Sequence, residues 1–338
     1  MILLAFETSC DDTSIAIFED DRLVCMNTAS QIKIHNETRW VVPEVAEREH
    51  ANNIFGVLDR VLEESKLTLN DIDYIWVTSC PGLLTSLLTG VSVASTLSTV
   101  LKKPIIPIHH IEAHIFSNFL ERQEVDIRFP LVCLTVSGGH NDLYYMNDMW
   151  NLEKLWSSQD DAGWEAFDKV AKMMDLEYPG WPIISKLASE HEKGWWKWKE
   201  LFPRVWLKKD EFDFSFSWLK SAVKREVDKR ILEKWELSSE DKKEIAFEFE
   251  SAVVEVLAYK LINAAKQKWV KTVLLAGWVS ANMRLRSVIS DLAKEEWFEF
   301  LYPVKNVYCM DNAAMVGMNT YYKVKYRKFE EKVGVIEI

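Results

Sequence analysis

The stretch "ILLAFETSCDDTSIAIFE", residues 2–19, contains two apolar runs separated by a polar loop. Apolar runs of this length predict buried strands, and the loop "SCDD" predicts a short connection between them. The turn "DDR" and the run "LVCMNTAS" follow directly and predict a third strand. The chain therefore begins with a predicted β-meander, and a helix that opens at Pro43 comes after it.

The same order of elements occurs a second time further along the chain. "FPLVCLTVS" (129–137) predicts a buried strand and "GGHND" a polar loop, and "LYYMND" and "EKLWSS" predict two more strands before the helix "EAFDKVAKMM". Alternating helices and strands follow both copies, which indicates a duplicated α/β domain. The actin-like ATPase architecture (the ASKHA, RNase H-like fold) is built this way, with two lobes around a central cleft. Two unrelated α/β domains are the alternative.

The duplication predicts the domain boundaries. We assign residues 1–115 to the first lobe and 116–310 to the second, and we expect the C-terminal helix, 311–338, to return to the first lobe. The segment at about 183–235 carries many charges and little periodicity, and we interpret it as a helical insertion.

Composition limits the class of protein. A hydrophobic content of 48% is typical of a globular chain, and five scattered cysteines without a CxxC pair fit a reducing cytoplasm. The N-terminal segment lacks the basic n-region of a signal peptide, and we expect no apolar run long enough to cross a bilayer and no membrane partner. The net charge of −11 argues against nucleic-acid binding by the surface as a whole.

Local basic patches could still meet a nucleic acid. One candidate set lies on a predicted helix, and another lies near the C-terminus; solvated helix faces are the ordinary explanation for both. The residues are Lys220, Lys224, Arg225, Lys229 and Arg230 in the first set, and Lys323, Lys325, Arg327 and Lys328 in the second.

The motif "HHIEAH" places two imidazoles on one helix face. His110 and His114 are spaced i, i+4 and could hold one metal ion. Glu112 lies about 200° around the helix from His110, so it is poorly placed as the general base of a metallopeptidase. Asp311, in "CMDNAAM", is a candidate third ligand, although an acid at the start of a helix is usually a cap.

Two loops could hold an anion. In "TVSGGHND" the backbone N–H groups around Ser137, Gly138 and Gly139 could approach a phosphate, although a Gly-Gly hairpin turn explains the pattern too. The equivalent loop "ETSCDDTS" offers hydroxyls and carboxylates suited to phosphate and magnesium. They belong to Thr8, Ser9, Asp11 and Asp12.

Together these segments resemble the TsaD family, the tRNA N6-adenosine threonylcarbamoyltransferases once called glycoproteases or O-sialoglycoprotein endopeptidases. The motifs occur in order along essentially the whole chain. They are "ETSCDDTSIAI", "VVPEVAEREH", "PGLLTSLLTGVSVA", "IHHIEAHI", "LTVSGGHNDL", "DDAGWEAFDKVAK", "YPGWP", "FSFSWLKSAV", "AGWVSAN" and "MDNAAM". The resemblance implies the actin-like fold and transfer of threonylcarbamoyl from threonylcarbamoyl-AMP to N6 of adenosine 37 in tRNAs that read ANN codons.

The resemblance also implies a site and partners. His110, His114 and Asp311 match the ligands of one divalent metal ion, Fe²⁺ in the family, with Zn²⁺ as the alternative. The residues that match the adenylate-binding positions are Thr135, Val136, Ser137, Gly138, Gly139, Asp168, Trp181 and Asn282. Implied partners are tRNA, a TsaB-like paralogue and a TsaE-like ATPase, all in the cytoplasm. A metal-dependent peptidase, an actin-like-fold ATPase or kinase, and a non-catalytic scaffold are the rival classes.

Tryptophan replaces the family's glycine at several of these motifs. The chain has 15 Trp and 11 Gly, whereas average usage of about 7% glycine would give roughly 24. One hypothesis is that the gene uses UGA as a glycine codon and that these residues arise from reading UGA as Trp; real divergence is the other. The positions are Trp40, Trp156, Trp164, Trp181, Trp218, Trp269, Trp278 and Trp297, whereas Trp206 and Trp235 show no glycine counterpart.

Overall fold

The computed structural model describes residues 1–38, 40–137, 141–157, 163–191, 201–204, 216–326, 329–330 and 332–336, with the backbone alone at 163–164. It forms two compact units. Unit 1 comprises Met1–Asp126 and Pro303–Ile338, and unit 2 comprises Ile127–Tyr302. Unit 2 is thus a continuous insertion into the chain of unit 1.

The elements alternate as in an α/β protein. In chain order the strands are β1 (Ile2–Glu7), β2 (Asp12–Glu19), β3 (Arg22–Ser30), β4 (Tyr74–Cys80), β5 (Ile105–His109), β6 (Leu131–Val136), β7 (Asn141–Met146), β8 (Leu152–Ser157), β9 (Thr272–Ala276) and β10 (Glu299–Leu301). The helices are α1 (Ile32–Asn36), α2 (Pro43–Ser65), α3 (Leu84–Leu101), α4 (His110–Phe116), α5 (Gly163–Met173), α6 (Gly180–His191), α7 (Ser217–Lys234), α8 (Ser239–Gln267), α9 (Met283–Glu295) and α10 (Ala313–Lys325).

Each unit contains one five-stranded sheet, and the two sheets have the same topology. The strand order is β3-β2-β1-β4-β5 in unit 1 and β8-β7-β6-β9-β10 in unit 2. In each, an antiparallel three-stranded meander is followed by two strands parallel to its first strand. This equivalence confirms the duplicated α/β fold that the repeated order of elements predicted.

Apolar periodicity explains how helices cover the sheet of unit 1. In α2 the residues Ile54, Leu58 and Val61 recur at helical spacing, so they line one face of the helix and enter the core. The strand β1 is buried on both faces, as expected for a strand covered by helices on either side. Gly317 lets α10 lie tightly on β2, because a Cβ atom there would overlap the ring of Phe18.

The boundaries of the units differ from the predicted lobes. Residues 116–126 and 303–310, which the sequence assigned to the second lobe, belong to unit 1. Aromatic packing and ionic contacts hold them there, since Phe119 packs against Tyr322 of α10 with ring centroids 5.2 Å apart. In addition, the Tyr308 hydroxyl donates to Glu121 at 2.6 Å. The predicted insertion, 183–235, contains the end of α6 and the whole of α7; 192–200 and 205–215 lie outside the described residues.

Helix α3 corrects the expectation that no apolar run reaches bilayer length. Among the described helices, it is long and apolar enough to cross a membrane, by length and composition alone, with a mean hydropathy of 1.5 over 18 residues. Its inward face, with Val91 and Ala94, belongs to the core of unit 1. A core helix of a packed domain passes the same test, so the composition of α3 gives only weak evidence for a membrane span.

Candidate metal centre and adenylate-binding region

Three adjacent parallel strands of unit 1 end at one edge of the sheet and deliver polar groups there. The strands β1, β4 and β5 run parallel to one another. Glu7 is the last residue of β1, Thr78 lies near the end of β4, and His110 follows β5 directly. The carboxyl ends of parallel strands are where α/β folds place their ligands.

Two histidines and one aspartate converge at this edge. The Nε2 atoms of His110 and His114 lie 3.1 Å apart, as the i, i+4 spacing on α4 predicts. Asp311 Oδ1 lies 3.1 Å from His114 Nε2 and 3.5 Å from His110 Nε2. The structure therefore brings together all three residues that the sequence singled out as metal ligands, and their ligand atoms all lie within 4.8 Å of one another.

Asp311 does not cap the helix that follows it. Asn312 is the N-cap residue of α10, and its Oδ1 atom accepts a hydrogen bond from the Met315 N–H at 3.0 Å. The capping role that usually explains an acid at a helix start is therefore filled by the next residue. The carboxylate of Asp311 is directed to the histidine pair instead.

A second carboxylate lies behind His110. Glu7 Oε2 is 3.1 Å from His110 Nδ1 and accepts a hydrogen bond from the Thr78 hydroxyl at 2.5 Å. Its Oε1 accepts the Ser9 backbone N–H at 2.6 Å. The Ser9 hydroxyl is also 3.2 Å from His110 Nδ1. One ring nitrogen of His110 thus faces Glu7 and Ser9, and the other faces Asp311.

The local field favours positive charge at this point. Burial disfavours a charged imidazole, but the charges of Glu7 and Asp311 outweigh it and raise the pKa of His110 to about 10. Burial raises the pKa of Asp311, yet the neighbouring His110 outweighs it, and the net pKa lies below its usual range. Burial and the charge of His110 lower the pKa of His114. A proton or a metal cation satisfies the same field.

The donor set fits a divalent transition metal. Two imidazoles and one carboxylate form a three-ligand set of the kind that binds Fe²⁺ or Zn²⁺ and leaves coordination positions open. His114 is fully buried and His110 nearly so, and buried polar donors of this kind need a partner. The three side chains therefore suit a metal ion better than they suit a solvated surface.

The predicted phosphate-binding residues of the N-terminal loop are buried. The Thr8 hydroxyl donates to the Ser86 carbonyl at 2.9 Å, and Ser9 belongs to the surroundings of His110. Burial and the charge of Asp311 raise the pKa of Asp11 to about 6, while burial and the charge of Asp11 raise that of Asp12 to about 8. Binding of phosphate by this loop stays a prediction.

In unit 2, helix α6 connects two of the predicted adenylate-binding residues. Asp168 Oδ1 accepts the Gly180 backbone N–H at 2.7 Å, and Asn282 Nδ2 donates to Ser185 Oγ at 3.0 Å and to Glu250 Oε1 at 2.7 Å. Asn282 is also the N-cap of α9, since its Oδ1 accepts the Leu285 N–H. Both side chains are therefore positioned by contacts with α6.

The backbone at the ends of β6 and β9 in unit 2 is closely packed. The strands are parallel, and Thr135 pairs with Ala276. Gly277 has φ +83°, and a Cβ atom there would lie 2.5 Å from the Val136 carbonyl oxygen. Ser137 is nearly buried at this edge, and the predicted binding residues Gly138 and Gly139 lie outside the described residues.

The indoles at two of the motif positions lie against the core of unit 2. Trp181 follows Gly180 at the start of α6, Trp278 follows Gly277, and both are partly buried and pack against that core. The adenylate-binding role of Trp181 stays a prediction.

Sequence reasoning missed three residues that support these sites. Glu7, Ser185 and Glu250 were not singled out, although each is hydrogen-bonded to a predicted site residue. Glu7 carried a signal, because a carboxylate that ends an otherwise apolar strand must find partners when it is buried. Glu250 lies within the long helix α8, where a single acid gives no comparable signal.

Solved structures share the fold. Full-length HypF in its phosphate- and nucleotide-bound form matches 96% of this chain and 46% of its own length, with a TM-score of 0.60 at 13% identity. The activator of the 2-hydroxyisocaproyl-CoA dehydratase from Clostridium difficile, with bound ADPNP, matches 99% of this chain and 100% of its own, with a TM-score of 0.54 at 13% identity. The chain is an α/β protein with the duplicated actin-like ATPase fold.

Sequence relatives identify the family within that fold. The family model "TsaD: tRNA N6-adenosine threonylcarbamoyltransferase" matches residues 22–318. Proteins of that name from Fusobacterium nucleatum and Staphylococcus epidermidis are each 43% identical to this chain, over 332 residues (98% of this chain, 94% of the relative) and 324 residues (95% and 91%). The chain belongs to the TsaD family.

Proposed function

We propose that this chain transfers the threonylcarbamoyl group from threonylcarbamoyl-AMP to N6 of adenosine 37 in tRNAs that read ANN codons. The observation that carries the proposal is the convergence of His110, His114 and Asp311 in a member of the TsaD family. The acceptor is a weak nucleophile, because its lone pair is delocalised into the adenine ring. The protein therefore has to position both substrates and stabilise charge on the donor.

The metal in this proposal is Fe²⁺, with Zn²⁺ as the alternative. His110, His114 and Asp311 would hold it, and it would supply Lewis-acid polarisation of an oxygen of the donor. Because Asn312 caps α10, the Asp311 carboxylate remains directed at the histidines.

Unit 2 supplies the adenylate-binding groups in this proposal. The backbone around Ser137, with Gly138 and Gly139, would approach the phosphate, and Asp168 would accept a hydrogen bond from a ribose hydroxyl. The two N–H groups of the Asn282 amide are committed to Ser185 and Glu250. A ligand donor would therefore meet the second lone pair of its carboxamide oxygen.

Three of the five cysteines are poorly suited to act as nucleophiles, which favours direct attack of the adenine amine on the donor. Burial raises the pKa of Cys133, and burial with the charge of Asp11 raises that of Cys10 well above its usual value. Burial and Glu64 likewise raise the pKa of Cys25. These thiols stay protonated near neutral pH, so they are poor candidates for a covalent intermediate.

Peptidase activity is disfavoured by the position of Glu112. Its carboxylate pairs with Lys323 Nζ of α10 at 3.0 Å, in agreement with the angular offset from His110. A metallopeptidase of the HExxH type needs its glutamate beside the metal as general base. Glu112 instead ties α4 to α10.

Several cationic side chains of the two candidate basic patches are paired with carboxylates of the protein. Arg230 is nearly buried and bonds to Glu226, Asp241 and Glu244, and Lys224 pairs with Asp228. Lys323 and Lys325 pair with Glu112 and Glu124; 327 and 328 lie outside the described residues. With a net charge of −11, tRNA binding is expected to depend on partners. A TsaB-like paralogue and a TsaE-like ATPase in the cytoplasm are those that membership of the family suggests.

Incubation with threonylcarbamoyl-AMP and unmodified tRNA, with the proposed partners present, tests the function. Nucleoside mass spectrometry is expected to detect threonylcarbamoyladenosine at position 37, and a chelator is expected to abolish its formation. A protein that binds metal but forms no modified nucleoside with all partners present would contradict the proposal. Metal-dependent cleavage of a peptide or glycoprotein in the same preparation would favour the peptidase.

A further inference from the structure

Glu7 is a fully buried carboxylate that contacts three groups of unit 1. It bonds to His110 Nδ1, to the Thr78 hydroxyl and to the Ser9 backbone N–H. Burying a charged carboxylate is unfavourable unless hydrogen bonds and opposite charge compensate it. An apolar residue could fill the same volume, so the position of this carboxylate calls for an explanation beyond packing.

We propose that Glu7 is a positioning residue for the metal ligand His110. By accepting a hydrogen bond from Nδ1–H, Glu7 keeps the proton on Nδ1 and leaves the lone pair of Nε2 directed at the point shared by His114 and Asp311. A carboxylate behind a ligating imidazole fixes the tautomer and the ring orientation and raises the basicity of the ligand. This inference rests on the proposed metal centre.

The two ligand rings differ in this respect. His114 Nδ1 is buried and has no hydrogen-bond partner among the described residues, whereas His110 Nδ1 lies within hydrogen-bond distance of both Glu7 and Ser9. The support therefore acts on one ring of the pair. Removing Glu7 alters His110 and leaves the contact between His114 and Asp311 in place.

Metal affinity of the full-length protein tests this role without an activity assay. We compare wild type, Glu7→Gln and Glu7→Ala by titrating Co²⁺ and Zn²⁺ against a chromophoric chelator, and we record the visible spectrum of the Co²⁺ form. Glu7→Gln is expected to bind about tenfold more weakly, and Glu7→Ala up to about a hundredfold. The Co²⁺ absorption bands are expected to shift in both variants, because the ligand strength of His110 changes.

Thr13→Val is the matched control. It removes another buried hydroxyl–imidazole contact of unit 1, Thr13 Oγ1 to His50 Nδ1 at 2.8 Å, and is expected to keep wild-type metal affinity. If Glu7→Ala does not fold, the nearly isosteric Glu7→Gln decides the question alone. Wild-type affinity and spectrum in Glu7→Gln would overturn the positioning role. A wild type that binds metal yet transfers nothing would instead overturn the proposed function.

A separate observation concerns three helix ends of unit 2. Trp235, Trp269 and Trp297 have φ values of +70°, +56° and +59°. They follow α7, α8 and α9, and their relative exposures are 92%, 89% and 86%. Three of the eight described residues other than glycine with positive φ are thus tryptophan, a far larger share than tryptophan has in the chain.

The hydrogen bonds identify the motif at two of these ends. The Val270 N–H bonds to the Ala265 carbonyl and the Trp269 N–H to that of Lys266; likewise the Phe298 N–H bonds to Ala293 and the Trp297 N–H to Lys294. This is the Schellman pattern, with tryptophan at its left-handed position. The Trp235 N–H bonds to the Ile231 carbonyl, which is the simpler left-handed cap. Glycine is the residue that such positions favour.

We infer that the protein made in its own cells carries glycine at 235, 269 and 297. The indoles contribute almost no buried contact there, while each Cβ is held in an unfavourable backbone conformation. Trp235, which had no glycine counterpart by resemblance, shows the same geometry as the other two. The argument rests on backbone conformation alone, so it is independent of the metal centre.

Peptide mass spectrometry of the native protein tests this inference. Glycine is expected at the three positions, whereas the fully buried Trp76, which packs against Phe329, is expected to retain its indole. Indoles at 235, 269 and 297, or glycine at 76 as well, would overturn the inference.

Variants of the sequence as printed provide a second measurement. At each of the three positions, the Gly variant is expected to melt at a higher temperature than both the Trp and the Ala forms. Alanine removes the indole but keeps the Cβ atom, so the difference between Gly and Ala isolates the backbone effect. Equal melting temperatures for Gly and Ala at all three positions would contradict the conformational argument.

Discussion

The predicted metal ligands of unit 1 converge on one point. The predicted adenylate-binding side chains Asp168 and Asn282 of unit 2 instead bond to neighbouring side chains and backbone. In unit 1 the Nε2 atoms of two histidines and a carboxylate oxygen face one another. In unit 2, Asp168 and Asn282 are held by Gly180, Ser185 and Glu250. Two sheets of the same topology thus carry different arrangements. The side chains of unit 1 leave their polar atoms facing one another, whereas those of unit 2 are held by hydrogen bonds to neighbouring residues.

This difference follows from the residues that end equivalent strands. The strand β1 ends at Glu7 and is followed by hydroxyls and acids, whereas β6 ends at Val136 and is followed by Ser137 and two glycines. Charged ends attract cations, and small residues let a ligand approach the backbone. Equivalent strand ends of a duplicated fold can therefore offer two kinds of chemistry.

The largest expected effect is on the ligand set of unit 1. His110→Ala removes one of the converging donors, so the protein is expected to lose its metal and to lose turnover by about a thousandfold, since Lewis-acid stabilisation is worth several kcal/mol. Metal analysis and the nucleoside assay measure both. His191→Ala, a histidine of unit 2 that pairs with Glu240, is the control; wild-type turnover in His110→Ala would refute the ligand assignment.

The backbone is expected to be sensitive to substitution at Gly277 of unit 2 and tolerant at Gly56 of unit 1. Gly277→Ala places a Cβ against the Val136 carbonyl at a positive φ, and we expect a loss of about 3 kcal/mol in the free energy of unfolding. Gly56→Ala in α2 meets no atom within 4 Å and should gain about 0.5–1 kcal/mol. Urea denaturation of both variants measures these changes. A free energy of unfolding for Gly277→Ala equal to that of wild type would contradict the prediction.

A smaller and more selective effect is expected at Asp168. Asp168→Asn keeps an oxygen for the Gly180 N–H but removes the charge, so adenylate binding should weaken by about tenfold, or roughly 1.4 kcal/mol. Metal affinity should not change, because Asp168 belongs to unit 2. Calorimetry with a non-hydrolysable adenylate analogue measures the first quantity. Unchanged adenylate affinity, or a parallel loss of metal, would remove the distinction between the two units.

A fourth expected effect is the dependence of stability on pH from the acidic loop of unit 1. Because burial and Asp11 raise the pKa of Asp12 in the folded state to about 8, well above its ordinary value of 3.8, the folded state binds the proton more tightly than the unfolded state. Stability from this group is present at low pH and is lost as pH rises from about 4 to about 8.

Asp12→Asn should flatten this dependence and raise stability at pH 8 relative to wild type. Thermal or urea unfolding across that range measures the slope for both proteins. A wild type that gains stability between pH 4 and pH 8 while the variant loses it would reverse the predicted sign. The loop of unit 2 has no equivalent pair of carboxylates in the sequence, so a pH effect of this origin belongs to unit 1.

The repeated order of strands and the i, i+4 spacing of His110 and His114 were readable in the sequence, because both depend on local periodicity. Asp311 could be proposed as a third ligand, but its distance to the histidines depends on the packing of α10 against β2 across unit 1. Glu7 could not be paired with His110 from spacing, since their contact depends on the order of β1, β4 and β5 within the sheet.

The three tryptophans with left-handed backbone conformation at helix ends could not be grouped from the sequence. Comparison with a family found Trp269 and Trp297 but not Trp235, because a residue type alone does not reveal φ. Backbone conformation places the three together. Conversely, the limits of the units differ from those of the predicted lobes, because the segments 116–126 and 303–310 are held by contacts between distant parts of the chain.

The insertion of unit 2 within unit 1 has a consequence for biosynthesis. During translation His110 and His114 are synthesised first, then all of Ile127–Tyr302, and only afterwards Asp311. A nascent or prematurely terminated chain therefore holds the histidine pair without its carboxylate. If the three side chains hold a metal ion as proposed, loading would follow the synthesis of Asp311, and a product truncated before it would lack one of the three ligands.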